Sequence, residues 1–431
     1  MRIEQDAFGT VSLPDEVLYG IQTVRTVNHM SFSGHLLSDY PAYIRAMAQV
    51  KKAAAKANKR AGVISDEICE KIQEASQQLI DGKWVEQFPI DVFHGGGSIG
   101  TNMNVNEVIA RLAGDDVHPT EHVNASQSTA DACHTAMRIA LISMMEPFVK
   151  ELDQLIKTLE NHSLAFASIR TIARTCWQDG LTVPMSSLFE ATASALRRRR
   201  EFLHHAVELI HHINLGGTVV GSGTGAPEAY RTAIVPMLVE TTGYPLRWRE
   251  NLYDAAQYPD DLAQLSSEIH LISRILLKLA KDLRLLASGP EAGLNELRLP
   301  AVQAGSSFFP GKVNPVIAET MIQCSMLEAG NHYIIQSSLE MGEVHLNIWE
   351  GMMGILLMQN ISMLTEAMLT FHNHCVAGIE INEVRCEEYA ASFIPMVVEL
   401  KERYGYQQVS KWVKEMSKEE LKKKMKEEKQ V

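Results

Sequence analysis

Five long stretches of this chain, roughly 135–168, 183–213, 259–288, 315–340 and 344–374, repeat apolar residues at i, i+3, i+4 and i+7. Within 259–288 the stripe runs through Leu262, Leu265, Ile269, Ile272, Ile275, Leu276, Leu279 and Leu283. Helices of this length exceed the usual globular length of about 11–12 residues. Elements so long and so apolar cover one another in a bundle, and the spacing predicts an all-α fold buried in part against partner subunits. Four glycine- or proline-containing breaks interrupt the bundle, at Gln178–Pro184, Gly216–Gly225, Ser288–Gly293 and Ala304–Pro315. Loops at the ends of rigid helices are where chemistry usually sits.

The bundle region, 131–384, follows a more punctuated segment, 1–130, and precedes a small C-terminal segment, 385–431; we read these as three domains. The first contains a helical run from Tyr43 to Ala61 and a glycine-rich loop from Phe93 to Asn102, and the last ends in a Lys/Glu-rich tail from Lys411 that reads as a solvated helix. A 46% hydrophobic and 21% charged composition over 431 residues supports a large core. The net charge of −12 repels nucleic acid and anionic lipid, so neither is an expected partner. No apolar run approaches the ~18 residues of a membrane span. The opening MRIEQDAFG has acidic residues where a secretory apolar core would lie, and the six cysteines form no CxxC pair. A reduced, cytoplasmic protein is the expectation.

The segment richest in chemistry is Gly305-Ser306-Ser307-Phe308-Phe309-Pro310-Gly311-Lys312-Val313-Asn314-Pro315. Two serines among glycines and a proline make a mobile loop, and a lysine and a helix N-terminus follow. Backbone N–H groups, the helix dipole and Lys312 together suit a carboxylate. A serine aimed into that positive pocket serves as a base if its alkoxide is stabilised. A flexible Ser/Gly turn without chemistry has the same composition.

This segment resembles the GSSxMPxKxNP sequence of the aspartase/fumarase superfamily, with Phe309 in place of methionine. Other blocks resemble that family in the same order. They are Arg2 to Arg25, Ile99-Gly100-Thr101-Asn102-Met103-Asn104, His118-Pro119 through Val123 to Thr129, Arg174-Thr175 with Gln178-Asp179, and Ser288-Gly289-Pro290 through Glu296. The resemblance spans residues 2 to about 375 and is nearest to aspartases. It implies a three-domain chain, a homotetramer whose central helices form a twenty-helix bundle, and active sites composed from three subunits; no organic cofactor and no metal ligand are expected at the site, and activation by a divalent ion is left open. The implied reaction is an anti-elimination. A serine removes a proton next to a carboxylate, hydrogen bonds stabilise the aci-carboxylate, and an amine leaves from the adjacent carbon. The base is then Ser306. Thr101, Ser128, Thr129 and Ser307 hold the carboxylate that gains charge, and Thr175, Lys312 and Asn314 hold the other.

Two departures fall on the leaving group. Ala130 and Cys176 stand where the family's asparagine and histidine hydrogen-bond the departing amino group. Alanine offers no side-chain donor or acceptor and cysteine only weak ones. Glu319 remains where the family's glutamate pairs with that histidine, and a buried carboxylate without a partner is costly. Trp177, Phe308 and Phe309 add aromatic faces. A cationic leaving group without N–H donors accounts for these changes together, because aromatic faces and a carboxylate bind quaternary ammonium. Betaine-type amino acids qualify, with release of trimethylamine from ergothioneine to thiolurocanate as the example. Tolerated drift in an ordinary aspartate ammonia-lyase is the plainer reading, loss of water or a thiol is another, and a non-catalytic structural tetramer is the alternative of a different class. Gly100 replaces a serine and is expected to enlarge the pocket.

Several signals carry little. His204, His205, His211 and His212 share a helix without a nearby Cys or Asp cluster, so no metal site is expected. Arg197–Arg200 reads as a solvated or interfacial helix face. The Gly221–Gly225 loop lacks a P-loop lysine.

Overall fold

In a computed structural model of the chain, residues 1–428 are described; the last three residues of the C-terminal segment 385–431 and of the tail lie outside them. The long apolar stripes fold as helices close to their expected limits. We label the principal helices α1 (Pro41–Arg60), α2 (Asp66–Ile80), α3 (Ile99–Ala113), α4 (Thr129–Ala165), α5 (Ser186–Leu209), α6 (Glu228–Thr242), α7 (Asp260–Leu286), α8 (Val316–Glu340) and α9 (Glu350–Phe371). Strand is confined to four two-stranded pairs among the described residues, so the architecture is all-α.

The chain divides into two compact units. The first comprises Met1–Val149, Glu201–Leu271 and Met326–Leu364. In it α1 contacts α2 and α6. The alanines Ala46, Ala48, Ala53, Ala54 and Ala57 of α1 are almost completely buried and let neighbouring backbones approach. An ionic cluster ties α4, α7 and α9. Arg138 of α4 donates through Nε to Asp261 Oδ2 at 2.7 Å and through Nη2 to Asp261 Oδ1 at 2.9 Å, and it also meets Glu350. Glu350 lies 2.9 Å from His134. Arg138 above all, with His134 beside it, pulls the buried Glu350 carboxyl down to about 2 against its desolvation. Removing one member of such a buried cluster typically costs about 3–5 kcal/mol.

The second unit comprises Lys150–Arg200, Ile272–Ser325 and Thr365–Val431. Its first break is not an open loop. Arg170–Thr175 (β1) and Gln178–Pro184 (β2) pair antiparallel as a hairpin. Alternating Thr171, Ala173 and Thr175 with Thr182 suits a strand, and the sequence reading missed it because a seven-residue strand carries little periodicity. Glu296, fully buried, anchors this hairpin: Arg174 donates to it at 2.6 Å, and the Thr171 hydroxyl donates to it as well. The C-terminal tail is more than a solvated helix. Leu421 is fully buried in a cluster with Met396, Leu400 and Val409.

One helical stretch, Glu350–Val376, is long and apolar enough to cross a membrane, a correction to the expectation that no apolar run approaches that length. Gln359, Asn360 and Ser362 interrupt it, and 61% of the window is buried inside the chain, the pattern of a core helix.

Candidate functional site

In the first unit two helix N-termini come together. The glycine-rich loop turns into α3 at Ser98, whose φ is +70°, and Thr101 falls in the first helical turn, 4% exposed. His94 of that loop orders it. Its Nδ1 is 2.8 Å from the Gly95 carbonyl, and its Nε2 is 3.1 Å from both the Thr101 backbone nitrogen and hydroxyl. Burial holds the His94 pKa below its ordinary value, so the neutral ring accepts both Thr101 hydrogens at Nε2. Gly100 therefore does not open the pocket as expected. A Cβ there would stand 3.0 Å from the His94 ring, and the glycine is what lets the ring lie against the helix.

The second N-terminus is that of α4. The Ser128 hydroxyl accepts the Ala130 N–H at 3.2 Å, and the Ser128 N–H donates to Asp131 at 2.8 Å, a reciprocal cap. Asp131 also accepts the N–H groups of Gly216 and Thr218, each at 3.0 Å. Burial raises its pKa, and those three N–H groups and the Lys51 charge oppose the rise. Asn102 joins the two helices by donating to the Thr129 hydroxyl at 3.1 Å. Behind it, Lys51 is fully buried and donates to Asn102 at 2.8 Å, Asn124 at 3.0 Å and Gln127 at 3.1 Å. Burial lowers the Lys51 pKa to about 8. Thr101, Ser128 and Thr129 thus stand on two helix dipoles with a buried cation behind them, a setting for an anion. Ala130 is buried beside them with no polar side-chain atom.

The second unit contributes two pieces. Thr175 ends β1, and Cys176 and Trp177 form the two-residue hairpin turn with φ of +52° and +59°. Such a turn requires two left-handed residues and normally takes Asn or Gly. Placing Cys and Trp there costs of order 1–3 kcal/mol each. All three residues are exposed.

The other piece is the serine loop. The Gly305 N–H donates to the Lys312 carbonyl at 2.8 Å, and the Asn314 amide clasps the Gly305 carbonyl at 2.7 Å. A Cβ on Gly305 would meet the Asn314 nitrogen at 2.6 Å, so this closure needs glycine. Inside the loop the N–H groups of Phe308 and Phe309 both donate to Ser306 Oγ, at 3.0 and 2.9 Å. Two donors on one hydroxyl oxygen favour its ionised form. Ser307, Phe308 and Lys312 are exposed, and Lys312 Nζ lies 5.5 Å from the centre of the Phe309 ring. Among the described residues no hydrogen bond joins this loop to the hairpin turn.

A cavity of about 950 Å³ beside the loop is lined by Lys281, Arg284, Arg298, Lys312, Asn314 and Glu319. Glu319 is not the unpartnered buried carboxylate expected. It is partly exposed and pairs with Arg284 at 3.0 Å. Arg284 lies 35 residues away in sequence on another helix, which is why the pairing could not be read from the motif. Lys51 and Arg284 were missed for the same reason: no local pattern marks a residue that acts through a distant partner. His94 and Arg298 carry no motif signal of their own.

A family profile described as lyase matches residues 9–327. The chain is 38% identical to an aspartate ammonia-lyase of Helicobacter pylori over 96% of its own length and 91% of the relative's. It is 35% identical to a class II fumarate hydratase of Thermosynechococcus vestitus over 94% and 89%. Among solved structures it superimposes on a Brucella melitensis protein described as fumarate lyase:delta crystallin bound to cobalt. The TM-score is 0.92 at 35% identity, over 99% of this chain and 98% of that one. It also superimposes on a class II fumarase of Schistosoma mansoni, with a TM-score of 0.92 at 28% identity over 96% and 92%.

Proposed function

The chain belongs to the aspartase/fumarase superfamily of lyases, and from that premise we propose that it is a carbon–nitrogen lyase that eliminates an amine from an α-amino acid with Ser306 as base. The observation that carries this reading is the pair of N–H donors on Ser306 Oγ. They lower the cost of the alkoxide, whose proton passes to solvent before substrate arrives, so no other side chain has to take it at the moment of reaction. Ser306 takes the proton from carbon, the electrons of that bond form the new double bond, and the C–N bond breaks with its electron pair leaving on the amine. Thr101, Ser128, Thr129 and Ser307 hold the carboxylate or equivalent group that gains charge. Thr175, Lys312 and Asn314 hold the second anionic group. We place these sets in one cleft assembled from several copies of the chain, a homotetramer.

For the leaving group we favour a substituted, betaine-type amine. Ala130 offers a buried apolar wall, and Cys176 a weakly polar turn, where an ammonium with three N–H donors needs acceptors. The Arg284 partner of Glu319 weakens one support for this reading, since that carboxylate already has a cation. The second reading, L-aspartate to fumarate and ammonia, is supported by relatives named aspartate ammonia-lyase at 34–38% identity. Absorbance assays on purified protein separate the two. Thiolurocanate formation from ergothioneine, with no fumarate from aspartate, supports the betaine reading; fumarate formation at ordinary aspartase rates overturns it.

A further inference from the structure

We propose that His270, Glu328 and His332 form a binding site for a borderline divalent transition-metal ion of the zinc or cobalt class. Glu328 and His332 lie four residues apart on α8 and project from one face, and His270 reaches them from α7. His270 Nδ1 stands 3.1 and 3.2 Å from the two Glu328 oxygens. The two imidazole rings stack with centroids 4.2 Å apart and planes within 9°. One ligand atom from each of the three residues lies within 4.8 Å of the others.

Ligands bonded to one cation at about 2.0–2.2 Å are separated from one another by roughly 3–3.5 Å. The His270–Glu328 pair already has that spacing; parallel stacked rings cannot both hold one ion in plane, so His332 joins the site by turning its ring out of the stack. Ser266 Oγ lies 2.8 Å from His332 Nδ1 and fixes that ring, the outer-shell contact that orients metal-ligating histidines. Two imidazoles and one carboxylate favour zinc, cobalt or nickel over calcium and magnesium, which prefer oxygen. Water completes the coordination. None of the three residues has a part in the proposed elimination, so the site stands or falls independently of it.

The test uses the full chain, stripped with chelator and titrated with Co²⁺ and then Zn²⁺. One Co²⁺ per chain is expected, with visible ligand-field bands that Zn²⁺ bleaches and a Zn²⁺-dependent rise of several degrees in Tm. His332→Ala and His270→Ala are each expected to abolish the bands and the Tm rise. Ser266→Ala, which removes no ligand, is expected to weaken binding about 10–100-fold. His204→Ala and His205→Ala, exposed positions on α5, serve as controls and leave binding unchanged. If the wild type takes up no Co²⁺, or if the bands persist in both His332→Ala and His270→Ala, the proposal is overturned.

Discussion

Thr101 and Thr129 in one unit, and Ser306 in the other, are all hydroxyls given to the same proposed reaction, yet they are held in opposite ways. The threonines sit on helix N-termini, with Lys51, Asn102, Asn124 and His94 fixing them through buried hydrogen bonds. Ser306 sits in a loop closed by one backbone pair and one asparagine clasp, with most of its neighbours exposed. Under the proposed reaction the difference follows from the part given to each group. Donors that stabilise charge are effective when their position is fixed beforehand. A base on a flap must admit substrate and then close, which calls for a segment of low local stability.

The sharpest way to break this contrast is to remove the flap hydroxyl. Ser306→Ala should lower kcat by about 10²–10⁴-fold, the usual worth of a positioned base. Its Tm should stay within a degree of wild type, because the hydroxyl accepts only two loop N–H groups; activity above a few per cent in steady-state assays removes Ser306 from its role. The threonine side should respond in both stability and activity. Lys51→Met leaves the side-chain oxygens of Asn102 and Gln127 without their donor. At about 1–3 kcal/mol for each orphaned buried group, partly offset by relief of a buried charge, thermal unfolding should show a Tm several degrees lower. kcat should fall about 10–100-fold as Thr129 loses its support; an unchanged Tm would mean that the lysine does not organise the nest.

The smallest effect is a pH dependence. Because the folded chain resists protonating His94 while the unfolded chain takes up the proton near pH 6.5, the unfolded state binds more protons between the two values. Stability should therefore fall as pH drops through 6.5 and level off below the lowered folded pKa. His94→Gln should lack this component in a pH series of denaturant melts. Protonated Nε2 also ceases to accept from Thr101, so activity should fall at lower pH, as the pH passes the lowered folded pKa.

Much of this protein is legible in its chain. The stripes that became α4, α7 and α8 match their expected limits within a few residues, since a long 3.6-residue period overrides local ambiguity. The motif residues Thr101, Ser128 and Ser306 fall on helix N-termini or a glycine loop, as their residue types require. The hairpin carrying Thr175 and Cys176 was not legible, because its strands are short and held by Glu296 more than a hundred residues away. Nor was the fate of Glu319: the motif shows a carboxylate that lost its histidine, and only the approach of α7 supplies Arg284.

Amino-acid order alone therefore determined the helical class, the family and the residue types available for an elimination, because periodicity and motif spacing are local properties of the chain. Tertiary structure decided which buried charges have partners: Lys51 among three amides, Glu319 beside Arg284, Glu328 between two histidines. Desolvation and most of this pairing depend on groups dozens of residues apart, which no short window of sequence contains together.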